Sequence, residues 1–266
     1  MRAFGSAIVS EARKILTLPG VWIAFAVATV GAAAITAFNA MTVRSAVASG
    51  DTSRLADTSA FEAGFAAAPI IGVVGAIVVG ALAIGSEYTT DRAESGGGRQ
   101  ITTTLTASTT RPALYAAKVL VVCVVTIALA AVSIPGNYAL ARALVGDAGT
   151  ETVSLESGIS RAGGAALYWV LMALIAFAIT ALARSVMLPL AILIANGSVV
   201  SFSLLLRNVT PLADYLPDMA GRNLFGFPPE FTVEGGLAPV PGAIVMAAWA
   251  FGLLLAGAIA FQRRDA

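Results

Sequence analysis

The 266-residue sequence predicts an all-α membrane protein with six transmembrane helices. Three observations carry that expectation. The chain is 58% hydrophobic and 12% charged, about half the roughly 25% charged share of an ordinary soluble domain, and a water-soluble core of this size cannot hide so much apolar surface. Six runs contain no Asp, Glu, Lys or Arg: 21–41, 66–85, 119–140, 165–183, 186–206 and 240–261. Each is about 20 residues, the length that crosses a roughly 30 Å hydrocarbon core as a helix, the element that satisfies its own backbone in lipid. Third, the basic residues are unevenly shared. Placing both termini in the cytoplasm puts ten Lys and Arg inside (Arg2, Arg13, Lys14, Arg92, Arg99, Arg111, Lys118, Arg184, Arg263, Arg264) and six outside (Arg44, Arg54, Arg142, Arg161, Arg207, Arg222). That bias follows the positive-inside rule.

The elements follow in order. Residues 1–18 predict an interfacial helix on the cytoplasmic leaflet: Phe4, Ile8, Ala12, Ile15 and Leu16 share one arc, Arg2, Ser6, Ser10, Arg13 and Lys14 the other, with Glu11 at the border. A short basic extension that only fixes topology is the alternative. The run at 21–41 is too long for a signal core and lacks an evident cleavage site. Pro19 and Gly20 turn the chain into the bilayer. Span two carries Gly72, Ala76 and Gly80 four residues apart, a stripe that lets backbones approach closely, within the chain or across a dimer. Pro135-Gly136 should bend or end span three. In span five Asn196 needs a hydrogen-bond partner and is a candidate pathway residue with Ser201; Asn39, Asn137 and Thr180 are further polar groups in or beside spans. The five prolines in 207–239 and the apolar pieces PLADYL and AGRNLFGF suggest short re-entrant helices capping the outer side.

The longest cytoplasmic connector, 86–112, gathers charges, Gly96-Gly97-Gly98 and many threonines. The glycines can break one helix, and RQITTTLTAS can form a short second one held by two long helices. Thr110-Arg111-Pro112 resembles a helix start with a hydroxyl cap and a proline in the first turn. Such a connector is either a solvated linker or a lever. The whole chain reads as a single transmembrane domain, 1–266.

The inventory also excludes. Histidine is absent and Cys123 is the sole cysteine, so the chain alone builds no His-based triad, no zinc site and no internal disulfide. No GxxxxGK[ST] phosphate loop occurs. The spans lack the ionisable relays that ion-coupled carriers keep in the membrane. A net charge of +1 argues against nucleic acid as a partner. The chain therefore reads as neither an enzyme nor the holder of a cofactor, and a membrane subunit driven by a separate ATPase is compatible with it.

Scattered motifs resemble the permease subunits of type-2 ATP-binding-cassette exporters: Gly85, Glu87 and Tyr88 after span two, Thr102 to Leu105, Arg111, Ala117-Lys118, the opening SEARKILTLPGVW, LPDMAGRNL before the last span, and the terminal RRDA. The DRAESGGGRQ portion is longer than the commonest connectors of that family. The resemblance implies a half-transporter in the bacterial cytoplasmic membrane, paired with a second permease subunit and seated on an ATPase subunit that carries ATP and magnesium. By that resemblance the connector holds a coupling helix, and the ATPase contact falls on Arg99, Gln100, Thr103, Thr104, Leu105 and Ser108, supported by Glu87. Glu87 itself is expected to pair with Arg92 or Lys118. The cargo implied is a hydrophobic or amphiphilic compound such as an antibiotic, peptide or lipid. The alternative is a non-transporting immunity or regulatory subunit that sequesters a toxic compound or a partner in the membrane.

Overall fold

A computed structural model describes residues 2–51, 58–88, 111–196, 201–227 and 236–263. No strand forms among the described residues. The amphipathic amino terminus is helical as α1 (Arg2–Thr17). Leu18 is extended and ends it, and α2 (Pro19–Ser49) follows at once with Pro19 in the first turn. The indole of Trp22 donates to the Leu16 carbonyl at 2.8 Å and fixes this corner. Then come α3 (Ala60–Tyr88), α4 (Arg111–Ala148) and α5 (Leu155–Ala183). After two short helices, α6 (Met187–Asn196) and α7 (Phe202–Arg207), and helical turns at Pro211–Tyr215, Pro217–Ala220 and Arg222–Phe225, the chain closes with α8 (Pro239–Arg263). Helices α2, α3, α4, α5 and α8 are long and apolar enough to cross a membrane.

These five helices outrun their charge-free stretches, and in two of them a polar cap sets the start. The Ser59 hydroxyl accepts from the N–H groups of Phe61 and Glu62 and starts α3 six residues before residue 66; Ser154 does the same for α5 through Ser157. Pro135 does not end α4, which continues helical to Val145. The fifth charge-free run is the one that differs from expectation. It is not one continuous helix: Ser201 is extended, with its hydroxyl accepting from the Leu204 N–H, so the run divides into α6 and α7. Ten helical residues cover about 15 Å, half a hydrocarbon core.

Lipid supplies no hydrophobic drive between helices, so close packing of small residues has to hold them. The stripe on α3 does this within the chain. A Cβ on Gly72 would lie 1.9 Å from the Trp169 ring, and one on Gly80 would lie 2.0 Å from the Ala173 carbonyl oxygen. Helices α3 and α5 are accordingly the most buried of the long helices. Pro69 has no N–H to give, and a π-helical turn occupies Ala68–Gly72, where the Ala68 carbonyl accepts the indole N–H of Trp169 at 3.2 Å.

Two ends of the bundle emerge from the contacts. At the first, α1 meets the end of α3 and the start of α4, Arg111 donates to the Gln262 carbonyl, and the Tyr88 hydroxyl donates to the Ala181 carbonyl. At the far end Arg44 reaches the Leu144 carbonyl and Arg161 reaches Glu62. The stretch from α6 to the turns at 211–225 passes from the first end, where Val186 abuts Gly85, to the far half, where Gly221 lies against Tyr168 and Met246. Met246 is seven residues into α8, so this hairpin descends roughly 10 Å along that helix.

Candidate functional site

The first end of the bundle holds four clustered charges, three of which the fold removes from water. Glu11 and Lys14 are three residues apart on α1 and so share a face with Ile15. Glu87 sits in the last turn of α3, and Lys118 lies two turns into α4. Lys118 Nζ pairs with Glu87 Oε1 at 2.7 Å and with Glu11 Oε2, and it donates to the Ala83 carbonyl at 3.3 Å. Lys14 Nζ reaches the same Glu87 oxygen at 2.5 Å. Lys118 and Glu87 are 0% exposed and Glu11 is 2% exposed, whereas the Lys14 side chain keeps 24%. Two cations thus face two anions, and Lys118 spends its three N–H donors on two carboxylates and a carbonyl. A buried ion of this kind is tolerable only when paired and hydrogen-bonded.

The arrangement has a mechanical consequence. Glu87 and Lys118 flank residues 89–110, and their pairing draws the end of α3 and the start of α4 to one point. Glu11 and Lys14 then bolt α1 to that point. Of the two partners expected for Glu87, Lys118 is the one found; Arg92 lies outside the described residues. Glu87 itself is wholly enclosed by this chain, so its carboxylate faces the two lysines and not an outer surface. Arg99, Gln100, Thr103, Thr104, Leu105 and Ser108 lie outside the described residues. Glu11 falls at the border of the polar arc on the helical wheel, yet the fold encloses it almost as fully as Ile15. The helical spacing of Glu11, Lys14 and Ile15 was visible; the partner 107 residues away was not.

The far end carries a second buried pair. Arg161 of α5 makes a two-pronged contact with Glu62 of α3 at 2.5 and 3.0 Å, and its Nε donates to the Phe225 carbonyl at 3.0 Å. Its guanidinium stands over the rings of Phe61, Phe65 and Phe227, 4.9 to 5.2 Å from their centroids. Residues counted as outer-loop charges are therefore one buried clamp that holds the 222–227 hairpin against α3 and α5. The sequence signal was Ser59 followed three residues later by Glu62, the pattern of a helix start.

The candidate pathway residues serve the break between α6 and α7. Asn196 Nδ2 donates to the Ser203 hydroxyl at 2.9 Å and Asn196 Oδ1 accepts the Ser203 N–H at 3.1 Å; the Ser203 hydroxyl also reaches Asp218 Oδ1 at 2.8 Å. Ser201 caps α7. The Asp218 carboxylate accepts from the Ser203 hydroxyl and so ties the turn at Pro217–Ala220 to α7. Of the other polar groups read in or beside the spans, Asn137 donates to the Ser133 hydroxyl and Thr180 to the Ala176 carbonyl within their own helices, and Asn39 donates to the Ala63 carbonyl across to α3.

No protein-family model matches the chain, and no curated protein matches it.

Proposed function

We propose that the chain is the membrane-spanning permease subunit of an ATP-driven exporter, with six crossings of the bilayer and both termini in the cytoplasm. A separate ATPase hydrolyses ATP and docks on the connector 89–110; a second permease subunit completes the pathway. One observation carries the reading: the buried Glu11–Lys118–Glu87–Lys14 cluster, in which the two residues flanking the connector are paired with each other and with α1. A push on a connector so anchored moves three helices together. The charges of the cluster balance as a set, and Lys14 is the one member that reaches the surface, so the cluster resists shear while Glu11, Glu87 and Lys118 stay enclosed. The motif order, from SEARKILTLPGVW to RRDA, supports the same family. In this reading α6, α7 and the turns to 225 form the sixth crossing and its outer cap, and the cargo is hydrophobic or amphiphilic.

The test is purification of the chain from the membranes of cells that produce it, with the eluate assayed for a co-purifying ATPase subunit, in parallel with a form lacking residues 99–108. Retention by the intact chain and loss with the deletion is expected. Failure to retain any ATPase, or equal retention by both forms, would refute the docking role and return the reading to a non-transporting membrane subunit.

A further inference from the structure

At the far end, α4 and α5 part to leave a cleft of about 620 Å³, within the roughly 300–1,000 Å³ of small-molecule sites. Its existence follows from residue size. Gly158, Ala162 and Ala166 recur every four residues on the α5 wall, and α4 adds Ala130 and Ala131, so the middle of the cleft stays open between the longer Ile127, Ile134, Leu155 and Ile159. Phe61 closes the cleft from α3, packed against Tyr138 with ring centroids 5.9 Å apart. The interior is almost wholly apolar, and the polar groups gather at the rim. Arg142 is exposed there, and among the described residues its hydrogen bond is to the Tyr138 hydroxyl at 3.4 Å. Glu151 is also exposed at the rim and accepts the Ser59 hydroxyl at 2.5 Å.

An apolar trough ending in one cation and one anion is the complement of an amphiphile with an acyl tail, a phosphate and an amine. We propose that this cleft is a binding site for a zwitterionic, amine-bearing phospholipid. One acyl chain lies between α4 and α5, Arg142 holds the phosphate and Glu151 takes the ammonium. A guanidinium binds phosphate oxygens through parallel N–H donors, which places the headgroup at the helix ends while the tail follows the small-residue wall. Five helices of this chain are apolar enough to be bathed in lipid, so the occupant is supplied by the surroundings. The site is independent of any ATPase and stands or falls apart from the exporter reading.

The experiment is native mass spectrometry of the full chain released from micelles doped equally with phosphatidylethanolamine, phosphatidylglycerol and diacylglycerol of the same acyl chains. One tightly held phosphatidylethanolamine is expected, in preference to phosphatidylglycerol and, more strongly, to diacylglycerol. Arg142→Gln should lower phospholipid retention about tenfold towards that of diacylglycerol, as expected for loss of a charge-assisted bond. Glu151→Gln should remove only the preference for the amine headgroup. Ala131 is exposed on α4, so Ala131→Phe blocks the trough without entering the core, and it should remove all three lipids while leaving the thermal midpoint unchanged. Equal retention of the three lipids, or retention indifferent to Arg142→Gln and Ala131→Phe, would overturn the proposal. So would loss of a dimer in Ala131→Phe, which would assign the trough to a second copy.

Discussion

Replacing Lys118 with Met probes the cluster where it is least forgiving. Lys118 is 0% exposed and touches two carboxylates that are themselves 0% and 2% exposed. The variant keeps most of the side-chain volume and loses the cation, leaving Glu11 and Glu87 to share Lys14, which is partly in solvent and reaches only Glu87. Removing one partner from a buried ion pair costs about 3–5 kcal/mol, because the orphaned charge stays desolvated. Glu11→Gln made alone deletes one anion and leaves the Glu87 contacts of both lysines. Combined with Lys118→Met it leaves Glu87 and Lys14, a neutral pair. The double variant should therefore be more stable than Lys118→Met alone, with a coupling of about 1–3 kcal/mol. Equilibrium unfolding in mixed micelles, followed by tryptophan fluorescence, measures all four forms. A Lys118→Met chain within 1 kcal/mol of the parent, or a cycle whose single effects simply add, would refute the idea that these charges form one buried unit.

Other consequences test the rest of the architecture. Gly80→Ala should destabilise by roughly 1–3 kcal/mol, since the new methyl meets the Ala173 carbonyl. Gly252→Ala, whose Cβ meets nothing within 4 Å, should be neutral or stabilise by about 0.5–1 kcal/mol; thermal unfolding of the two compares them directly. Arg161→Gln should release the hairpin at 222–227, read as faster amide exchange there with exchange around Lys118 unaltered.

What the sequence disclosed, and what it hid, divides along physical lines. Charge-free runs marked the long helices because lipid length is a property of one segment. Their true ends were harder, since Ser59 and Ser154 carry the helix into polar sequence. The run at 186–206 has no charge to interrupt it, so its length hid the capping hydroxyl at Ser201 and the Asn196–Ser203 bonds that divide it. Glu87 and Lys118 were recognisable as partners because they flank one connector. Glu11 and the Arg161–Glu62 pair were not, because their burial is imposed by residues about 100 positions away. The small-residue stripe of α3 was legible as a contact surface, while its partner, the Trp169 and Ala173 side of α5, needed the fold.

The claim that the connector between α3 and α4 is a cytoplasmic seat for an ATPase is tested most directly by labelling it in cells. Thr104→Cys in a Cys123→Ser background gives one thiol, at the centre of the proposed docking segment. A membrane-impermeant maleimide should fail to label this cysteine from outside, and a short bifunctional maleimide should join it to the ATPase inside. Labelling from the outside, or an adduct-free cysteine in the presence of that ATPase, would contradict it.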